Sequence, residues 1–244
     1  MLTGRTAIVC GASSGLGLAI AQRLSGAGAN VVAVARRRET LEPEATRIGA
    51  VPLVADLAEE DAAGRVVEDT VNRFGGLDIL VWNTGGPPPG TALQIDEHSA
   101  HEAFRTLLLP LVRMVGEAVP HLRRSRSGRI VAVTTSTVKE PTSLVALSNL
   151  IRPGVTGYLK TLAGELAPDG VTVNCVAPGR ILTSRAHELY PDGVPPAATE
   201  DIPLGRFGTP DELAAVACFL ATPLASYVTG TTIAVDGGLT RSML

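Results

Sequence analysis

No uninterrupted apolar stretch in the 244 residues reaches the roughly 18 that a membrane-crossing helix needs. The greasiest region is broken by Arg105, Arg113 and Glu117. The opening residues, MLTGRTAIV, run directly into a strand-like segment, which leaves no room for a signal peptide and leads us to expect a cytoplasmic protein. Cysteine is scarce. Cys10, Cys175 and Cys218 lie far apart in apolar runs and form no CxxC pair, so they read as small core residues in a reducing compartment. The four histidines, His98, His101, His121 and His187, make no ligand set, and no metal site is expected. His98 and His101 would share a helix face but have no carboxylate or cysteine partner, so they read as solvated helix-start residues. A net charge of −3 gives no general pull toward nucleic acid or an acidic membrane, and neither is expected as a partner.

What is present is a globular balance, 45% hydrophobic and 18% charged, at a length that suits one α/β domain spanning 1–244. Short β-branched runs at 5–10, 30–35, 51–56, 77–82, 129–135, 171–177 and 231–236 read as strands. They are apolar throughout instead of alternating, as strands covered on both faces are. Between them, 15–28, 39–49, 58–75, 97–125, 153–167 and 210–221 read as helices, with starts marked by Ser13/Ser14 and by Thr209-Pro210-Asp211-Glu212. Alternation of this kind, with right-handed crossovers, predicts a Rossmann domain: a doubly wound, parallel, seven-stranded sheet with helices on both faces. The irregular stretch at about 183–208 is too long for a plain connection and reads as a substrate lid.

The first strand runs into Gly11-Ala12-Ser13-Ser14-Gly15-Leu16-Gly17 and then a helix. Glycines there permit a sharp turn and a close helix–strand approach, and the first helical turn aims free N–H groups at a pyrophosphate. At the end of the second strand, where an acidic residue would bind the 2′-hydroxyl of NAD, the sequence has Arg36-Arg37-Arg38. Arginines pair with a 2′-phosphate, so NADP(H) is expected in preference to NAD(H).

With these residues in view, the sequence resembles the short-chain dehydrogenase/reductase family, particularly reductases of the 3-oxoacyl-carrier-protein type, over essentially its whole length. CGASSGLG stands where the family has TGxxxGxG. Asp56-Leu57 matches the pair that contacts adenine. Trp82-Asn83-Thr84-Gly85 matches the family's NNAG tetrad, with Trp82 and Thr84 as departures; Asn83 and Gly85 are thereby implied at the cofactor. Asn174 to Thr183 matches N-x-V-x-P-G-x-I-x-T, which implies that Pro178, Gly179, Ile181 and Thr183 line the nicotinamide. Val235-Asp236-Gly237-Gly238 fits the closing strand.

The family's catalytic serine, tyrosine and lysine fall on Thr135 (followed by Ser136), Ser148 and Arg152, and its relay asparagine falls near Leu107. A serine hydroxyl is far too weak an acid to replace a phenol, and a guanidinium does not readily give up a proton; Arg152 can still hold ribose hydroxyls. Pro153 is expected to push Arg152 out of helical geometry, so that the helix starts there and does not pass through Ser148. Lys139, on the loop after the fifth strand, is the candidate substitute acid, with Thr135 and Ser136 as hydroxyls for a substrate carbonyl oxygen. Tyr190 on the lid reads as packing, and Tyr158 as outside the cleft. Three functions stay open: an NADP(H)-dependent carbonyl/alcohol oxidoreductase with a non-standard proton donor, a non-redox dehydratase, isomerase or cyclase, and a catalytically silent cofactor-binding subunit. The partners expected are a small-molecule substrate and further copies of the chain, as a homodimer or homotetramer, the resemblance placing the helices at 97–125 and 153–167 across a two-fold axis.

Overall fold

The strands are β1 (Thr6–Cys10), β2 (Asn30–Ala35), β3 (Val51–Val54), β4 (Ile79–Trp82), β5 (Arg129–Val133), β6 (Thr172–Pro178) and β7 (Thr232–Val235). In the computed structural model, which describes all residues except 185, 187–189, 191 and 244, they form one sheet in the order β3-β2-β1-β4-β5-β6-β7. Every pairing is parallel. His187 and Pro191, and with Pro191 part of the expected lid, lie outside the described residues.

The helices that matter to the site are α1 (Gly15–Gly26), α2 (Arg38–Arg47), α3 (Ala62–Phe74), α4 (Glu97–Leu107), α5 (Leu109–Arg124), α6 (Ala146–Leu166) and α7 (Pro210–Ala221). Successive residues of a strand point to opposite faces, and here both faces are covered. Ile8 and Cys10 of β1 enter the core made with α3, α4, α5 and α6. Ala7 and Val9 enter the core made with α1, α2 and α7. That two-sided burial is the physical reason for the unbroken apolar runs. Burial also pushes the Cys10 thiol up to about 12, as an inert core residue requires. Cys218 departs from the core expectation, being only half-buried.

Three helix boundaries differ from the sequence reading. The expected helix at 97–125 is two helices with a break at Leu108. Pro110 has no N–H to offer the carbonyl of Thr106, so the ladder cannot run through. The expected start at 58 moves to Ala62, because Asp56 takes the chain into a turn: its Oδ1 accepts the Ala58 N–H at 3.0 Å and its carbonyl accepts the Glu59 N–H at 3.0 Å. The third difference is at Pro153, which lies inside α6 and does not begin it. The first backbone bond of α6 is Asn149 N–H to Val145 O at 2.9 Å, four residues before the proline. Ile151 and Val155 are buried on either side of Pro153, and this packing outweighs the local preference of a pre-proline residue. The helix therefore does run through Ser148 and Arg152. The expected cap at α7 is present: Thr209 Oγ1 accepts from Glu212 N–H at 3.2 Å, and the Glu212 carboxylate returns to Thr209 N–H at 2.8 Å.

Candidate active site

β1 and β4 are neighbours at the point where the strand order reverses, and a cleft of about 1220 Å³ opens at their carboxyl ends. Its floor is the glycine turn. Gly11 and Gly15 have φ of +62° and +56°, which an L side chain adopts only under strain. A β-carbon on Gly17 would lie 2.2 Å from the Gly11 carbonyl oxygen, so α1 can sit this close to β1 only with glycine there. Ser14 is the N-cap, at the helix start expected there, although its side chain makes no capping bond. The first backbone bond of α1 is Leu18 N–H to Ser14 O at 3.3 Å. The N–H groups of Gly15, Leu16 and Gly17 are thus left facing the turn, with the positive end of the helix behind them.

Arg36 and Arg37 follow β2, are exposed, and line the same cleft. Neither makes an ion pair among the described residues, whereas Arg38 is paired with Glu42. Asp56, Leu57, Asn83 and Gly85 also line the cleft, as do Ser13, Ser14, Leu16 and Thr183. Asn83 Nδ2 donates to the Gly11 carbonyl at 3.3 Å and so ties the end of β4 to the glycine turn. A β-carbon on Gly15 would lie 3.7 Å from Thr183 Cγ2, which places the segment after β6 over the turn.

The remaining residues singled out in the sequence stand behind or beside this cleft and do not line it. Thr135 caps a short turn, its Oγ1 accepting from Thr137 N–H at 3.3 Å; Ser136 is buried and Lys139 half-buried, without an ion pair among the described residues. Ser148 is half-buried in the first turn of α6, and Leu147 beside it does line the cleft. Arg152 is buried. It donates to Val133 O from Nη1 and to Gly85 O from Nη2, both at 3.2 Å. Burial brings its pKa down to about 10. The guanidinium therefore fastens α6 to the carboxyl ends of β4 and β5. Pro178 ends β6, Gly179 N–H bonds Val235 O at 3.0 Å, and Ile181 is buried in a bridge with Gly208.

The segment expected to be a lid has packing of its own. Ile202, Phe207 and Ala186 form a small core of their own, against which Tyr190 packs edge-on to Phe207 with ring centroids 6.0 Å apart. Arg180 pins this unit, donating to both oxygens of Asp201 at 2.5 and 2.8 Å and to Ala198 O at 2.6 Å. Tyr190 thus has the packing role expected of it. Tyr158, farther along α6, packs against the main core.

Sequence reasoning missed the part of the outer wall that α4 supplies. His98, Ser99, Glu102 and Thr106 of α4 line the cleft together with Pro87, Pro88 and Pro89. His98 is therefore a cleft residue and not merely a solvated helix start. The signal was available in the position of α4, directly after the loop that leaves β4. Trp82, noted only as a departure, is 2% exposed, lines the cleft, and joins Leu107 in one core cluster.

Residues 11–240 match the family described as enoyl-(acyl carrier protein) reductase. Cyclohexanol dehydrogenase of Rhodococcus sp. (strain TK6) is 36% identical, over 99% of this chain and 98% of its own. The chain belongs to the short-chain dehydrogenase/reductase family. Within that family, the 3-oxoacyl-[acyl-carrier-protein] reductase FabG of Vibrio cholerae serotype O1 is 32% identical over 98% of both chains. The structure of YwfH, an NADPH-dependent reductase involved in bacilysin biosynthesis, superposes with a TM-score of 0.93 at 28% identity, covering 98% of this chain and 99% of that one. L-sorbose reductase from Gluconobacter frateurii, complexed with NADPH and L-sorbose, gives 0.93 at 30% identity, covering 99% and 98%. The glycine turn, the parallel sheet and the cleft at its reversal are thus those of a short-chain oxidoreductase. No helix among the described residues is long and apolar enough to cross a membrane.

Proposed function

We propose that the protein is an NADP(H)-dependent oxidoreductase that interconverts a carbonyl and an alcohol with a proton donor other than the family's tyrosine. The observation that carries the cofactor assignment is the pair Arg36 and Arg37: two unpaired guanidinium groups on the cleft wall beyond β2, next to a glycine cradle with unpaired amides. Guanidinium forks suit a phosphate monoester, and the cradle's close approach suits a diphosphate. Gly15, Leu16 and Gly17 would hold the diphosphate through their amides, Asp56 and Leu57 would border the adenine, and Thr183 would close over the turn. When bound, the nicotinamide supplies or accepts the hydride.

The protein's own part is then to orient the substrate oxygen and manage its proton. With Ser148 and Arg152 at the family's tyrosine and lysine positions, Thr135 and Ser136 are hydroxyls just beyond the carboxyl end of β5. Lys139 follows them without an ion pair among the described residues, and from its place beside the cleft it is the candidate donor. The apolar residues exposed on α4, α5 and α6, Phe104, Val112 and Leu150, support assembly as a homodimer or homotetramer.

Isothermal titration of the chain with NADPH and with NADH tests the cofactor reading. Saturable binding at least tenfold tighter for NADPH is the expected result; equal affinities would remove the role of the two arginines. A panel of carbonyl compounds, followed by loss of NADPH absorbance, tests turnover. Tight binding with no turnover across the panel would return the chain to a silent cofactor-binding role.

A further inference from the structure

Two arginines are buried, Arg129 and Arg152, and neither joins an ion pair among the described residues. They stand at opposite ends of β5. Arg129, at its beginning, donates to Gly128 O and Thr222 O, the latter at the end of α7, where a cation complements the helix dipole. Arg152, at the carboxyl end, has no such neighbour. It is 8% exposed, and its partners are two carbonyl oxygens, those of Val133 and Gly85.

Gly85 is itself part of the cleft wall, so a fixed positive charge sits one hydrogen bond behind that wall. The carboxylates lining the cleft are elsewhere. Asp56 lies after β3, engaged by the Ala58 amide, and Glu102 on α4 is paired with Arg105 at 2.9 Å. A desolvated cation with only carbonyl dipoles for company keeps a strong preference about which charges approach it. Even lowered to about 10, its pKa leaves it charged at neutral pH.

We propose that Arg152 sets which oxidation state of the dinucleotide the chain holds: its charge opposes the cationic ring of NADP+ and leaves the neutral ring of NADPH undisturbed. This rests on the reading that the cleft binds NADP(H). The two forms carry the same adenosine and the same phosphates, so contacts from Arg36, Arg37 and the glycine turn cancel in the ratio of their affinities. Like unit charges on the two sides of such a wall, at an effective dielectric of about 20, give a discrimination on the order of tenfold. The consequence is a protein that loads the reduced form from a mixture and releases the oxidised one.

The test needs no substrate. Titration calorimetry, with quenching of the single tryptophan, Trp82, as a second readout, gives dissociation constants for NADPH and NADP+ on the full chain and on R152K, R152Q and R152M. The wild type is expected to favour NADPH about tenfold, R152K to keep that ratio within about threefold, and R152Q and R152M to bring it toward one. Glutamine keeps an amide donor for Gly85 or Val133, so R152Q reports on charge even where R152M does not fold. The inference is overturned by an R152Q that retains the wild-type ratio. It is equally overturned if both forms weaken by one common factor, which is what a purely structural clamp would do. A wild-type chain that binds neither form sinks the cofactor reading itself, and this inference with it; one that binds both forms equally sinks only the inference.

Discussion

Gly17 faces the Gly11 carbonyl so closely that a β-carbon at 17 would lie 2.2 Å from that oxygen and 2.8 Å from Asn83 Nδ2. Neither neighbour is a flexible side-chain end that can step aside: one is main chain, and the other is the amide that ties β4 to the turn. Gly17→Ala must therefore push α1 off β1. The expected outcome is a loss of NADPH affinity of more than tenfold, with a melting temperature lowered by several degrees. Thermal unfolding with and without nucleotide checks both; an alanine variant with wild-type affinity would show that the turn is not the cradle.

The paired change Arg36→Ala with Arg37→Ala tests the other end of the cofactor. Each charge-assisted hydrogen bond to a phosphate is worth roughly 1.5–3 kcal/mol. Losing two should weaken NADPH at least tenfold while leaving NADH nearly unchanged, because no 2′-phosphate is involved there. Equal losses for both cofactors would mean that the arginines serve α2 and not the ligand.

How much of this was legible in the sequence depends on what each residue answers to. Strands covered on both faces declare themselves through unbroken runs such as NVVAVA, and the glycine turn declares itself through φ values that only glycine takes readily. Both are local signals, and both led to the right architecture. Helix boundaries at 108 and 146 were misread because prolines 110 and 153 are locally alike but globally different. At Pro110 the chain turns a corner between two packed helices; at Pro153 buried Ile151 and Val155 hold one helix together. The outer wall of the cleft, His98 to Thr106, was overlooked because nothing in its own residues says which loop it faces; only its place directly after the loop that leaves β4 does. Arg152 was named as a cation for ribose, but its commitment to the carbonyls of residues 67 and 19 positions away exists only in three dimensions.

Acid sensitivity should localise at the start of α7. The Glu212 carboxyl is held down to about 2, first by Arg206 and then by the Thr209 amide. A carboxyl lowered in the folded state adds stability that is fully present above its ordinary value of 4.5 and is lost as pH falls toward 2. Because the group is exposed, the gain is small and screened by salt. Glu212→Gln should lower the melting temperature slightly at pH 6–7 and much less near pH 2, so the two unfolding curves converge in acid. Parallel curves from pH 7 to pH 2 would show that the ion pair contributes nothing.

The Arg180–Asp201 pair makes a separate prediction about the segment after β6. Its bidentate geometry anchors the small core of Ile202 and Phe207 to the chain leaving Gly179. Asp201→Asn keeps the shape but removes the charge. The expected result is faster cleavage by a nonspecific protease between about 183 and 208, with a global melting temperature lowered by no more than a few degrees. Unchanged cleavage would mean that the apolar contacts alone hold the segment in place.

Pro153 offers the last test, and its sign follows from what α6 lacks. With no N–H at 153, the Asn149 carbonyl has no donor four residues on, and the Asn149 side-chain oxygen is also buried without a partner. A proline in a helix interior costs about 3 kcal/mol relative to alanine, against which its stiffening of the unfolded chain returns about 0.4–1 kcal/mol. Because the surrounding core already enforces helix through this point, Pro153→Ala should stabilise the protein by about 2–2.6 kcal/mol, which for a chain of this size raises the melting temperature by roughly 4–10 °C. Affinity for NADPH should stay within about threefold, since Pro153 is exposed and away from the cleft lining. A fall in melting temperature would mean that the carbonyl at 149 already has a donor and that Pro153 itself is part of how α6 carries Arg152 to β5.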